Sequence, residues 1–165
     1  MSRLANRLMT RREALAGLLA VAALPLAACG PAAGGEPRPP EISYGLDMCA
    51  ECGMLISDVA FAAASAAGGG AANRFDDAGC MLSYHARRPG EPAAAWFVHD
   101  YQSRGWLRAE QAAFVHSPAL ASPMGYNLAA FGDRSAAEAF AAGQADARLM
   151  TFDELRAAPP TRGGH

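Results

Sequence analysis

Apolar residues along this chain come in short blocks, each closed by glycine, proline or aspartate. After Asp58, the run Val59 to Ala67 is small and apolar, has no helix cap and ends at Gly68-Gly69-Gly70, which predicts a strand and a tight turn. Asn73-Arg74-Phe75 is the returning strand. Asp76 or Asp77 then caps a helix that ends at Arg88 before Pro89-Gly90, with Cys80, Met81, Leu82 and Tyr84 on its apolar face. Ala93 to Tyr101, built around Trp96-Phe97-Val98, is the clearest strand pattern of the chain.

The same order recurs downstream. Ala112 to His116 and Tyr126 to Phe131 read as strands, Asp133 or Ser135 caps a helix through Ala142 with Gly143 at its end, and Ala147 to Thr151 reads as a further strand. Phe75-Asp76-Asp77 opens the first helix and Phe131-Gly132-Asp133 the second. The pattern therefore predicts an α+β fold of two similar strand-strand-helix-strand units, in a body spanning residues 44–158 with halves of about 44–103 and 104–158. Phe152 to Ala158 is a terminal helix, and residues 159–165 are read as a flexible tail.

Upstream of the body the pattern changes. Arg3, Arg7, Arg11 and Arg12 precede an apolar run from Ala14 to Ala28 that Gly17 and Pro25 interrupt. A bilayer span needs about 20 apolar residues, so residues 1–28 read as an export signal rather than a transmembrane helix. Thr10-Arg11-Arg12 resembles a twin-arginine export motif, although Ala14 stands where a bulkier residue is usual. Leu26-Ala27-Ala28-Cys29-Gly30 resembles the bacterial lipobox, which makes Cys29 the lipidated first residue of the mature chain. Residues 29–43, with Pro31, Pro37, Pro39 and Pro40 and no apolar periodicity, form a Pro/Gly-rich tether expected to be disordered. Removing the signal leaves ten basic and fifteen acidic residues, every base being arginine, and a net charge of −5. No basic cluster survives, which argues against nucleic-acid binding.

Candidate chemistry concentrates in Met48-Cys49-Ala50-Glu51-Cys52-Gly53-Met54, which Gly45 and Gly53 place on a loop. Thiolate and thioether sulfur are soft donors that select Cu(I) over hard cations. The rival reading is a disulfide or redox pair of Cys49 and Cys52 with ordinary apolar methionines. With Cys29 used for lipid, Cys49, Cys52 and Cys80 remain. An odd count in an oxidising compartment leaves at least one thiol unpaired or metal-bound. A second sulfur outlier, Met124, sits on a turn made by Ser122-Pro123-Met124-Gly125. Cys80 and Met81 fall on a predicted helix face and read as core. His85 reads as a solvated helix residue, His116 as a strand end, and His99 as a core-edge histidine or a third ligand. Structural zinc needs a second Cys or His pair, a thioredoxin pair needs a helix where Gly53-Met54-Leu55-Ile56 stands, and there is no nucleophile elbow or phosphate loop. No enzyme template fits.

Cys49-Ala50-Glu51-Cys52-Gly53-Met54, Phe75-Asp76-Asp77-Ala78-Gly79-Cys80-Met81, Trp96-Phe97-Val98-His99-Asp100-Tyr101 and Ser122-Pro123-Met124-Gly125, in this order behind a lipobox, resemble the NosL family. The resemblance implies a fold similar to alkylmercury lyase. It also implies a lipid-anchored Cu(I) metallochaperone on the periplasmic side of a bacterial membrane, the outer one on this reading. Its partner would be the nitrous oxide reductase apoprotein or its assembly machinery. Carried over by motif, Cys52 and Met124 are the principal Cu(I) ligands, with Cys49 and Met54 beside them, and loss of Cys80 is expected to change binding little. The alternatives are an organomercurial lyase that would use Cys52 and Cys80, and a passive thiol scavenger of metal.

Overall fold

The computed structural model describes residues 36–68 and 70–163. The export segment 1–28, Cys29, the tether as far as residue 35, Gly69, Gly164 and His165 lie outside the described residues. Two small antiparallel sheets and three helices make the body. The first sheet is laid down by β1 (Ala63–Ala66), β2 (Ala72–Phe75), α1 (Ala78–Ala86), β3 (Ala95–His99) and β4 (Trp106–Arg108). The second comes from β5 (Ala113–His116), β6 (Leu128–Phe131), α2 (Arg134–Ala142) and β7 (Arg148–Thr151), followed by α3 (Phe152–Ala157). In both sheets the first strand ends in the middle, giving the orders β2-β1-β3-β4 and β6-β5-β7.

The repeat extends to register. Ala63 of β1 faces Phe75 of β2, and Ala113 of β5 faces Phe131 of β6. Both phenylalanines are fully buried, and two residues after each an aspartate caps the next helix. Asp77 accepts the Gly79 N–H at 2.8 Å and Asp133 accepts the Ser135 N–H at 2.6 Å. Each such cap is worth about 1 kcal/mol, so the short Phe-x-Asp match marks a real structural joint. The sheets are stitched together where the Tyr101 N–H reaches the Ala130 carbonyl at 2.7 Å and the Gly132 N–H reaches Asp100 Oδ2 at 2.8 Å. Phe152 stacks on Phe114 of the second sheet and meets Trp96 of the first edge-on, with centroids 6.2 and 5.3 Å apart, so the two units share one core.

Several sequence expectations shift. β1 begins at Ala63 rather than Val59, because Asp58 takes the Ala60 N–H on its side chain and the Phe61 and Ala62 N–H groups on its carbonyl, which makes residues 58–61 a turn. β4 was not anticipated; three residues after a turn carry no alternation long enough to read. Since β4 pairs with β3, the first half runs through Arg108 and not to residue 103. His85 is half-buried rather than solvated: its Nε2 lies 2.9 Å from Ser65 Oγ, its Nδ1 3.2 Å from the Glu91 carbonyl, and its ring against Trp96. Residues 36–40 form neither helix nor strand, and Pro37 and Pro39 share a groove with Phe97 and Trp106, so this end of the tether lies along β4. Residues 161–163, expected to be frayed, fold back so that the Gly163 N–H donates to the Gly125 carbonyl at 2.8 Å. No helix among the described residues is long and apolar enough to cross a membrane.

α1 is buried over its whole first turn and beyond, from Ala78 to Leu82. It packs against β1, β2 and α3, and Tyr126 presses onto it at Gly79. A Cβ on Gly79 would lie 2.0 Å from Tyr126 Cγ, so only glycine allows the 122–126 segment to approach the start of this helix. Gly79→Ala is therefore expected to destabilise the protein by about 3 kcal/mol, the upper end for overpacking, in a urea denaturation midpoint compared with the parent chain.

Candidate metal centre

The Cys49–Cys52 turn is the tip of a short hairpin. The Gly45 N–H donates to the Ile56 carbonyl, the Ile56 N–H to Asp47, the Cys49 N–H to Met54 and the Gly53 N–H back to Cys49, all at 2.8–2.9 Å. Gly53 sits at φ 73°, a left-handed conformation that closes the turn and that side-chain-bearing residues rarely adopt. The Ala50 N–H hooks the tip to the Arg74 carbonyl at the end of the first sheet, 2.9 Å away, and fully buried Ile56 pins the other arm in the core.

Cys80 comes from the first turn of α1. The three sulfurs of Cys49, Cys52 and Cys80 lie within 4.8 Å of one another. Three thiolates around one ion at metal–sulfur distances of about 2.3 Å would stand roughly 4 Å apart, so a small inward movement converts the group into a trigonal cage. Cys49 and Cys80 are buried and Cys52 is half-buried. The helix placement that pointed to an inert core residue thus misjudged Cys80, which is both core and cluster. Its depth on the helix hid its partners, and the odd cysteine count was the only sequence signal for it.

The thiols are not equivalent. Cys49 accepts a hydrogen bond from the Cys80 thiol and others from the Asp76 and Cys52 backbone N–H groups, which together outweigh burial and lower its pKa to about 5. Cys80, whose proton is held against the Cys49 sulfur, is pushed up by that bond and then by burial. Burial raises Cys52, and the neighbouring Cys49 charge raises it further. Of the three, Cys49 is the thiol most readily ionised. Asp76, beside it, is raised by burial and accepts the Ser57 N–H at 3.0 Å.

Met124 reaches the same region through Asp77. This carboxylate is fully buried, caps α1 with Oδ1, and on Oδ2 receives the Ser122 hydroxyl at 2.5 Å and the Met124 N–H at 3.4 Å. The turn carrying Met124 is thereby tied to the residue three positions before Cys80. Met124 is half-buried against the core that also contacts Cys52. Arg162, on the folded-back terminus, lies 5.5 Å over the Tyr126 ring and within electrostatic reach of Cys80 and Cys52. Met54 and Met48, on the same hairpin, are 56 % and 63 % exposed, and Leu46 and Leu55 beside them are exposed as well. His99 is not in the group. Its Nδ1 donates to the Arg104 carbonyl at 2.7 Å, its Nε2 accepts from the Tyr44 hydroxyl at 2.9 Å, and burial lowers its pKa, so both ring nitrogens are committed.

Two strand-strand-helix-strand units with three thiols converging from a loop and a helix define a small α+β protein built to hold a soft metal ion. The chain belongs to the NosL family, whose model matches residues 43–159. Among solved structures, it is similar to the copper chaperone NosL from Shewanella denitrificans, with a TM-score of 0.63 and 21 % identity over 72 % of this chain and 96 % of that one. At that identity the likeness establishes the fold. Comparison with curated proteins gives no match. Family membership and the three-cysteine cluster together support a general copper-chaperone role.

The charge distribution can be checked directly. In the reduced apoprotein, ultraviolet thiolate absorbance is expected to show one thiol ionising near pH 5, protonated below that step and charged above it, with the other two titrating only in the alkaline range. Cys49→Ser should remove the low-pH step.

Proposed function

We propose that this chain is a Cu(I) metallochaperone, anchored through lipidated Cys29 on the periplasmic side of a bacterial outer membrane, that serves the maturation of the copper centres of nitrous oxide reductase. The observation that carries the reading is the three-thiol cluster inside a member of the NosL family. The partner, the nitrous oxide reductase apoprotein or its assembly machinery, is inferred from the family. The anchor is inferred from the lipobox.

The ion is cargo. Binding of Cu(I) by the three thiols releases the protons they still carry, so the affinity rises with pH. Cys49, Cys52 and Cys80 are the thiol donors in this proposal, with Met124 as the adjacent thioether. Met54, exposed on the hairpin, is assigned to the rim through which an ion is handed over rather than to the resting set. Three thiols without a fourth thiol or a histidine make an incomplete zinc site, and a weakly held thioether leaves room for an incoming ligand from the recipient. The protein works here as a carrier and not as an enzyme, in keeping with the copper chaperone it is similar to in structure.

An anaerobic competition titration of the reduced chain should give one Cu(I) per molecule. Cys52→Ala is expected to weaken binding at least about a hundredfold and Met124→Leu about tenfold, as loss of one or another soft donor would. If Cys80→Ala leaves the affinity unchanged, the resting set is the Cys52 and Met124 pair alone, and the three-thiol cage is wrong.

A further inference from the structure

The acidic residue between the two hairpin cysteines is not solvated. The Glu51 side chain is only 2 % exposed, and it is not part of the sulfur cluster. It forms an ion pair with Arg87 at the end of α1, and its Oε2, which has no hydrogen bond, faces Arg88 Nη1 at 3.7 Å. Arg87 is the C-cap of α1 and Arg88 follows it, outside the helix. Arg87 is seven residues beyond Cys80, about 10 Å along the axis. The hairpin tip is therefore fastened at the C-terminal end of the helix whose first turn presents Cys80.

A buried carboxylate in this position has no use for packing alone, since an apolar side chain of similar size would fill the space with less desolvation. What the charge adds is a directional hold. The backbone bond from Ala50 to Arg74 fixes the tip to the first sheet, and the ion pair adds a second tether, from the tip to the end of α1. We propose that Glu51 is a positioning residue, whose pairing with Arg87 and Arg88 holds Cys49 and Cys52 against Cys80 and so sets how long the cluster retains its ion. This rests on the Cu(I) reading above. The orphaned oxygen makes the fastening breakable: a partner that draws Arg87 or Arg88 away leaves Glu51 buried without a counter-charge, and the hairpin lifts.

The test uses the full chain, reduced, with Glu51→Gln, the charge exchange Glu51→Arg/Arg87→Glu, and Glu110→Gln as control, since Glu110 pairs with Arg108 in an exposed position on another element. The first readout needs no copper: mass-spectrometric alkylation rates of buried Cys49 and Cys80. Glu51→Gln should raise both about tenfold with little change in unfolding midpoint, the exchange should return them toward the parent values, and Glu110→Gln should leave them unchanged. The second is Cu(I) loss to a chelator, expected to be about tenfold faster in Glu51→Gln and restored by the exchange. Unchanged alkylation in Glu51→Gln, or a gain at all cysteines that tracks a falling midpoint and is not relieved by the exchange, overturns the proposal. If the parent chain takes up no Cu(I), the copper reading fails, and the alkylation arm still decides on the fastening. Should Glu51→Gln fail to fold, Arg88→Gln, which keeps the Arg87 contact, carries the same comparison.

Discussion

Everything around the sulfur cluster depends on one buried carboxylate. Asp77 starts α1 by capping Gly79 and, with its other oxygen, accepts the Ser122 hydroxyl and the Met124 N–H. Burial raises its pKa, and those three donors pull the other way. A carboxylate withdrawn from water is tolerated only where such donors replace the water it has lost. Because one of its partners, Ser122, lies forty-five residues away, satisfying Asp77 also brings the Met124 turn to the start of the helix that carries Cys80. Gly79 completes the joint by having no side chain where Tyr126 must lie.

This arrangement explains which parts of the molecule were legible in the sequence. The alternation of strand and helix signals was readable because each unit is local: Phe75 and Asp77, like Phe131 and Asp133, act within a few residues of each other. The ends of elements were less so, since Asp58, just before one apolar run, and Asp100, near the end of another strand pattern, begin turns through side-chain bonds. β4 is too short to show a period. In the site, the Cys49–Cys52 loop and the Met124 turn stood out by composition. Cys80, Asp77 and Glu51 did not, because each has an ordinary local role, as core, cap or loop charge, and acquires its second role only through a partner distant in sequence.

The electrostatics of the site are arranged against the background of the chain. The mature body is acidic, yet arginines gather at the cluster: Arg87 and Arg88 hold Glu51, and Arg162 stands within reach of Cys52 and Cys80. Two backbone N–H groups and a neighbouring thiol stabilise the thiolate on Cys49 without neutralising it. The sulfurs thus stay nucleophilic toward a soft cation, while the peptide dipoles and guanidinium groups keep the surrounding carboxylates from making the region repel its own anion.

The three-membered sulfur group has a consequence of parity. A disulfide formed within the group consumes two of its three thiols and strands the third, so no three-thiol set is left behind. Each pair lies close enough to couple after modest movement, and whichever pair does so, the same loss follows. The cluster therefore registers the redox condition of its surroundings as an all-or-none property. Only a chain in which all three thiols are reduced presents the whole group.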